Sequence, residues 1–287
     1  MPDFPFPLMV FAAGFGSRMG ALTADRPKPL IPVAGRALID HALDLGAAVG
    51  AACVVVNTHY RAEQMAAHLS GRGVQISHEA GPILETGGGL RAALPRLGPG
   101  PVAVLNSDAI WTGANPLAEL AAAWDAARME ALLLLLPVDQ ALGRAAKGDF
   151  RLDSSGRISR GHRRKDHVYL GASILNPARL HDVAEPVFSL NQPWDAMIAA
   201  GTAYGLVHQG RWCDVGRPEG IAAAETLLQT GPHDCAAPLG PARRCRFPGR
   251  AGRRPCRPHG RSAARSHGAR HTDCEHPKDA ATGAGRV

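Results

Sequence analysis

The sequence predicts an α/β fold, a Rossmann-like mixed, mostly parallel sheet flanked by helices. Three observations carry that expectation. Apolar runs at Leu8–Ala13, Pro101–Leu105 and Ala131–Val138 read as strands buried on both faces. Segments with apolar residues at helical spacing alternate with these runs, Arg36–Gly50 first among them. Glycine-rich stretches, GFGSRMG from Gly14 and GGG from Gly87, stand where ligands meet the strand ends of such sheets.

The first strand stops at Gly14, and Gly16, Ser17, Arg18 and Gly20 make a small loop bearing one cation. Without a Cβ in the way, its backbone amides are able to face a phosphate. Lys28 stands between Pro27 and Pro29, which restrict the chain and hold a second positive charge at a set remove from Arg18. Together they point to an anionic ligand. The dinucleotide fingerprint does not fit, because the sixth place counted from Gly14 is Met19. The P-loop does not fit either, since no Lys-Ser or Lys-Thr follows the last glycine.

After the Arg36–Gly50 helix, Ala52–Asn57 reads as a strand, Arg61–Leu69 as a short helix and Val74–His78 as another strand. Asn57 and His59 stand at a strand end, where polar capping is their expected work. Glu85-Thr86-Gly87-Gly88-Gly89 is expected to lead into a helix at Leu90–Leu94. Three glycines there imply a close backbone approach, an open helix N-terminus or a flexible turn; a nucleobase or sugar lying against the backbone would explain the first. The strand Pro101–Leu105 ends in Asn106-Ser107-Asp108, placing a carboxylate either to hold a divalent metal or to cap a turn.

Asn115-Pro116 is a good helix start, with the helix expected to run to Met129, and Ala131–Val138 is expected at the sheet centre. Phe150–Asp153 and Gly156–Ile158 form a hairpin around Asp-Ser-Ser-Gly, the start of a small β insertion. Arg160–His167 (RGHRRKDH) is a basic patch, read as a solvated loop or as a phosphate clamp using Arg163, Arg164 or Lys165. A strand at His167–Leu175, a helix at Ser189–Ala200 carrying Asn191, Trp194 and Asp195, and a strand at Thr202–His208 follow. Trp212-Cys213-Asp214-Val215-Gly216-Arg217-Pro218-Glu219 then opens a closing helix to Leu228.

Charge and cysteine divide the chain into a body, residues 1–230, and a tail, 231–287. Eleven Arg and one Lys against four acids put +8 in the tail, so the overall +7 leaves −1 for the body. The basic balance therefore argues for no nucleic-acid function of the body. The tail holds only Leu239, Phe247 and Val287 of the large apolar types, too few for a core, and reads as disordered or as GC-rich coding sequence taken out of frame. Cys53 and Cys213 are the body's cysteines, no framework of a secreted domain, and MPDFPFPLMV lacks a positive start. With no apolar run of bilayer length, the expectation is a cytoplasmic protein that needs no membrane.

A-A-G-x-G-x-R-M followed by P-K-P resembles the signature of the sugar-phosphate nucleotidyltransferases, or nucleotide-sugar pyrophosphorylases. E-T-G-G-G, N-S-D and W-x-D-V-G-x-P-E follow in order, and the resemblance spans roughly Leu8–Thr230. It implies the nucleotide-diphospho-sugar transferase fold with a sugar-side β insertion, and a reaction between a nucleoside triphosphate and a sugar 1-phosphate that releases pyrophosphate. It implies nucleotide contacts from Ala12, Ala13, Gly14, Gly16, Ser17, Arg18, Glu85, Thr86, Gly87 and Gly88. It implies catalytic roles for Arg18, Lys28 and Asp108, Mg²⁺ held by Asp108 and Asp214, and sugar contacts from Asn106, Gly171, Asn191 and Asp195.

The chain is most similar to the subgroup using UTP and N-acetylmuramate 1-phosphate in cell-wall recycling. Glucose, mannose or heptose phosphates with another nucleotide stay open, as do a catalytically slow binding protein on the same fold and the oligomeric state. Three positions depart from the pattern: Ser107 replaces glycine, Arg217 replaces threonine, and the Glu-Lys-Pro of many relatives is missing near Arg160–His167.

Overall fold

A computed structural model describes residues 4–144 and 147–230. Contacts divide the chain into Met1–Phe247 and Pro248–Val287, and every described residue lies in the first unit. The expected tail, 231–287, lies outside the described residues.

Chain order begins with β1 (Leu8–Phe11), the short β2 (Pro32–Val33) and β3 (Arg36–Ala37), α1 (Leu38–Ala48), β4 (Val54–Thr58), α2 (Ala62–Leu69) and β5 (Gln75–His78). Next come α3 (Glu85–Leu97), β6 (Val102–Asn106), β7 (Ala109–Thr112), α4 (Pro116–Ala123) and β8 (Ala131–Pro137). The hairpin β9 (Phe150–Leu152) and β10 (Ile158–Arg160), then β11 (His167–Leu175), α5 (Asn191–Ala199), β12 (Ala203–Val207), β13 (Arg211–Asp214) and α6 (Glu219–Thr230) complete it.

The main sheet runs β5-β4-β1-β6-β11-β8-β12, with the β9–β10 hairpin joined to β11. Only β11 opposes the direction of the other six, pairing antiparallel with β6 and β8. Alternation along the buried strands feeds two cores. Leu8, Val10, Leu132, Leu134 and Leu136 pack on the face of α1, α2 and α4, with Ile39, Met65 and Leu117. Met9, Leu133 and Leu135 pack on the other face with Leu90 and Leu97 of α3 and Trp194 of α5. Covering on both sides is why these strands read as continuous apolar runs.

A third core decides where the functional loops sit. Met19, Ile31, Val33, Ile110, Cys213, Val215 and Leu227 pack together, so the amino-terminal loop, β7, β13 and α6 share one apolar seam. β7 and β13 form their own antiparallel ribbon, with Asp214 opposite Ala109. The strand at Ala109–Thr112 is not expected from the sequence. Two helices also differ from expectation. α4 ends at Ala123, after an N-cap in which Asn115 Oδ1 accepts from Leu117 N at 2.9 Å. α3 begins at Glu85, so the three glycines form its first turns instead of a loop before it.

Candidate active site

The site gathers at the carboxyl ends of β1, β4 and β6. Ala12 N donates to Asn57 Oδ1 at 2.7 Å, and Asn57 Nδ2 donates to Glu79 Oε1 at 2.8 Å. Glu79 Oε2 accepts from Leu84 N at 2.9 Å. This buried chain fixes the first loop against the residues that lead into α3, and it satisfies Asn57 as a strand-end cap.

A cavity of about 220 Å³ opens over these ends, lined by Ala12, Ala13, Gly14, Lys28, Glu85, Thr86, Asn106 and Asp108 among others. A larger depression of about 360 Å³ between α2 and β5, lined by Ala66, Leu69 and Ile76, contains no charged side chain. The chemistry therefore selects the smaller one. Gly16, Ser17 and Arg18 continue from the lining into a short 3-10 helix, and Arg18 is exposed. Gly16, at φ +66, is required by packing as well as by the turn: a Cβ there would come 2.7 Å from Lys28 Cβ.

Lys28 is buried, and its Nζ lies 2.6 Å from Asp108 Oδ2. Val215 N donates to the Asp108 carbonyl at 2.8 Å, which ties the strand end to the residue after Asp214. The Asp108 charge acts on Asp214. Burial first, then the Asp108 charge, pushes the Asp214 carboxyl above its ordinary value, while Lys28, Arg144 and Arg18 pull it down. Asp214 is seated by glycines, since a Cβ at Gly143, Gly216 or Gly220 would come 2.2, 2.9 or 2.5 Å from its atoms. The two far-apart acids and both predicted cations thus share one electrostatic neighbourhood.

Ser107 does not intrude into the cavity as a bare hydroxyl. Its Oγ donates to the Phe11 carbonyl at 2.7 Å, bracing β6 against β1. Arg217 is exposed.

Gly87 and Gly88 have a different explanation from a bound base. Their N–H groups donate to the Phe188 carbonyl at 2.8 and 3.0 Å. A Cβ would meet the Phe188 ring at 2.4 Å and the Pro186 carbonyl at 2.3 Å. Of the alternatives open for these glycines, close approach is the one the structure shows, and the approaching group is the protein's own 186–188 segment. Glu85, at φ +58, and Thr86 remain on the cavity wall.

Gly171, at φ +83, packs close to Asn106 of the cavity wall: a Cβ there would come 2.7 Å from Asn106 Nδ2. Asn191 and Asp195 both engage Arg160: Asp195 Oδ1 accepts from Nε at 2.7 Å and Asn191 Oδ1 from Nη1 at 2.9 Å. They do not line the cavity, but Leu190 N, next to Asn191, donates to Thr86 Oγ1 at 3.0 Å. Trp194 packs edge-on to Tyr169, with ring centroids 4.9 Å apart.

Residues 8–134 match the MobA-like NTP transferase domain. Over 243 residues the chain is 41% identical to the N-acetylmuramate alpha-1-phosphate uridylyltransferase of Caulobacter vibrioides, covering 79% of this chain and 99% of that one. This chain belongs to the sugar-phosphate nucleotidyltransferase family. The enzyme of the same name from Neisseria meningitidis is 31% identical over 231 residues, 76% of this chain and 96% of the relative. The solved structure of HddC from Yersinia pseudotuberculosis, complexed with GMP-PN, superposes with a TM-score of 0.63 at 19% identity, over 78% of this chain and 99% of that one. That likeness shows the nucleotide-diphospho-sugar transferase fold.

Two residues near the site stand outside the sequence motifs. Glu79 carries the hydrogen bonds that organise the loop before α3, and Arg144, from the segment after β8, contributes to the field on Asp214. Neither belongs to a local pattern; only the strand pairing brings them in. No helix among the described residues is long and apolar enough to cross a membrane.

Proposed function

We propose that this nucleotidyltransferase condenses UTP with N-acetylmuramate 1-phosphate, giving the uridine diphosphate sugar and pyrophosphate, in the cytoplasm and as part of cell-wall recycling. The sugar-phosphate oxygen attacks the α-phosphorus, the bond to the β-phosphate oxygen breaks in line, and pyrophosphate leaves. The observation that carries this is the meeting of Lys28, Asp108 and Asp214 beside a cavity walled by Ala12–Gly14, Glu85 and Thr86.

Several anions must be held together in this reaction. At an effective dielectric near 20, two unit charges about 4 Å apart repel by roughly 4 kcal/mol. Arg18 steadies the β- and γ-phosphates, and Lys28 receives the attacking phosphate. The amides after β1 support the triphosphate, and the Asn57–Glu79 chain keeps them in place. Asn106 and Gly171 border the sugar. Positioning and preorganised charge lower the barrier without a covalent nucleophile.

The residues also suit magnesium. Asp108 and Asp214 present a like-charged pair, with an ammonium already standing at one carboxylate. Among the described residues no cluster of three or more acids, histidines or cysteines could hold a metal. A site with two carboxylates, completed by phosphate oxygens and water, is the pattern magnesium prefers. Bound by Asp108 and Asp214, Mg²⁺ would neutralise charge on the reacting phosphates.

A panel of four nucleoside triphosphates against several sugar 1-phosphates, read by pyrophosphate release with Mg²⁺, tests the proposal. The greatest kcat/KM is expected for UTP with N-acetylmuramate 1-phosphate. A clear preference for another pair reassigns the substrate, and no release with any pair overturns the activity.

A further inference from the structure

The connection from β4 into α2 grips the amino-terminal loop at both of its ends. At the near end, Asn57 of the cavity wall accepts from Ala12 N. The Phe15 ring rests edge-on against His59 and Tyr60, with centroids 5.3 and 5.9 Å away. At the far end a run of successive carbonyls is taken: Tyr60 Oη donates to Thr23 O at 3.0 Å, Arg61 Nη2 to Ala24 O at 2.6 Å and Gln64 Nε2 to Asp25 O at 2.8 Å. Arg61 Nε also donates to Tyr60 Oη at 3.0 Å, so phenol and guanidinium act as one linked unit.

Between the two grips lies Arg18. Ser17, Arg18, Gly20, Ala21 and Leu22 of the 3-10 segment Ser17–Thr23 are exposed, while Met19 and Thr23 are buried. Thr23 carries the outer grip inward, its Oγ1 donating between Gly20 O at 3.1 Å and Gly16 O at 3.3 Å. That closes residues 16–23 into a ring around Arg18. Without the outer grip the exposed part of the ring would rest on Met19 and on local bonds, and such segments open at small cost. Arg61 sits at φ +51, a left-handed backbone that an arginine rarely adopts. Such a conformation persists where its surroundings over-determine it, here through the two hydrogen bonds of the guanidinium. Its charge faces Asp25, whose carboxyl Arg26 first and Arg61 in part hold below the ordinary value.

We propose that Tyr60, Arg61 and Gln64 are positioning residues for the triphosphate. They fix the ring that carries Arg18, so that Arg18 and the loop amides stand in place before the nucleotide arrives. Ordering a loop in advance strengthens binding by removing the entropy otherwise lost on association. The inference rests on the function proposed above and adds residues that touch no substrate. The sugar is bordered by Asn106 and Gly171 from other elements, so the effect belongs to the triphosphate alone.

The test uses the full chain and the variants Y60F, R61M, R61K and R61G. Amide hydrogen exchange is read first, without substrates, over peptides spanning residues 14–26, where Met19 N and Ala24 N are bonded to Gly16 O and Ala21 O. R61M and Y60F should exchange faster there and match wild type over β1 and α1. In steady-state assays R61M should raise KM for UTP about three- to tenfold, the worth of about one hydrogen bond, with KM for N-acetylmuramate 1-phosphate within about twofold. R61K keeps the charge but lacks the fork, and should resemble R61M. An R61K variant with the wild-type KM for UTP would make Arg61 a charge acting on phosphate and overturn the clamp. R61G lacks the fork but relieves the left-handed backbone, so its KM for UTP should rise as in R61M while it melts no lower than R61M. A KM for UTP that follows melting temperature across the set, or unchanged exchange over residues 14–26 in R61M, also overturns it. Should R61M fail to fold, Y60F, which loses only a hydroxyl, decides by the same two measurements. Wild-type protein that releases no pyrophosphate with any substrate pair overturns the function, while the exchange data still decide whether these residues hold the loop.

Discussion

The Lys28 ammonium stands 2.6 Å from Asp108 Oδ2, joining the proline-flanked segment after the first loop to the end of β6 across 80 residues. Lys28 also acts on Asp214, where it is the strongest of the charges that offset burial and Asp108. Lys28→Met should lower kcat by about 10²-fold or more, as loss of a preorganised charge does. It should also raise the Asp214 carboxyl further, measured by NMR titration. An unchanged Asp214 titration would show that the three groups do not form one electrostatic unit.

Asp108→Asn and Asp214→Asn separate function from folding. Either should reduce pyrophosphate release by about 10²–10³-fold. Asp214→Asn should also raise the melting temperature at neutral pH, because a carboxyl held above its ordinary value disfavours the folded state once ionised. Near wild-type turnover in either variant would reject the proposed metal pair.

Arg18 lies on the exposed face of the turn after Gly16, where it has no packing role. Arg18→Ala should weaken use of the triphosphate by about 1.5–3 kcal/mol, the worth of one charged hydrogen bond, with little change in melting temperature. Initial rates at limiting UTP read this directly.

Much of this site was legible from sequence because its signals are local. The apolar run before Gly14 marks a strand, P-K-P marks a fixed cation, and N-S-D marks a carboxylate at a strand end. What escaped depends on pairing between distant segments. β7 is four residues long and becomes a strand only against β13, the contact that brings Asp214 opposite Ala109. Arg144 and Glu79 have no motif around them. The glycines of α3 left close approach, an open helix start and a flexible turn as alternatives, and only the fold shows that Phe188 and Pro186 approach them.

Those glycines give a stability prediction with an internal control. Gly87→Ala would drive a methyl into the Phe188 ring at 2.4 Å, and Gly88→Ala into the Pro186 carbonyl at 2.3 Å, with backbone unable to yield easily. Each should cost about 1–3 kcal/mol in denaturant unfolding, as overpacking does. A Cβ at Gly14 meets nothing within 4 Å, so Gly14→Ala should stay within about 0.5 kcal/mol of wild type. Equal effects at residues 14 and 87 would contradict the packing assigned to α3.

Acid should weaken the fold through carboxyls held low in the native state. Glu130, just before β8, accepts from Arg179 Nε at 3.0 Å and Nη2 at 2.7 Å, and from the Thr202 hydroxyl. The Arg179 hydrogen bonds hold its carboxyl below the ordinary value, and the Arg163 and His162 N–H groups do the same for Asp166. A carboxyl depressed on folding stabilises above its unfolded value, about 4, and loses that contribution as pH falls through the folded one. Melting temperature should therefore hold between about pH 7 and 5 and fall below about pH 4. Glu130→Gln should melt lower at pH 7, having lost the ion pair, and lose less on acidification because one depressed carboxyl is gone. An acid limb as steep in Glu130→Gln as in wild type would assign the acid sensitivity to other groups.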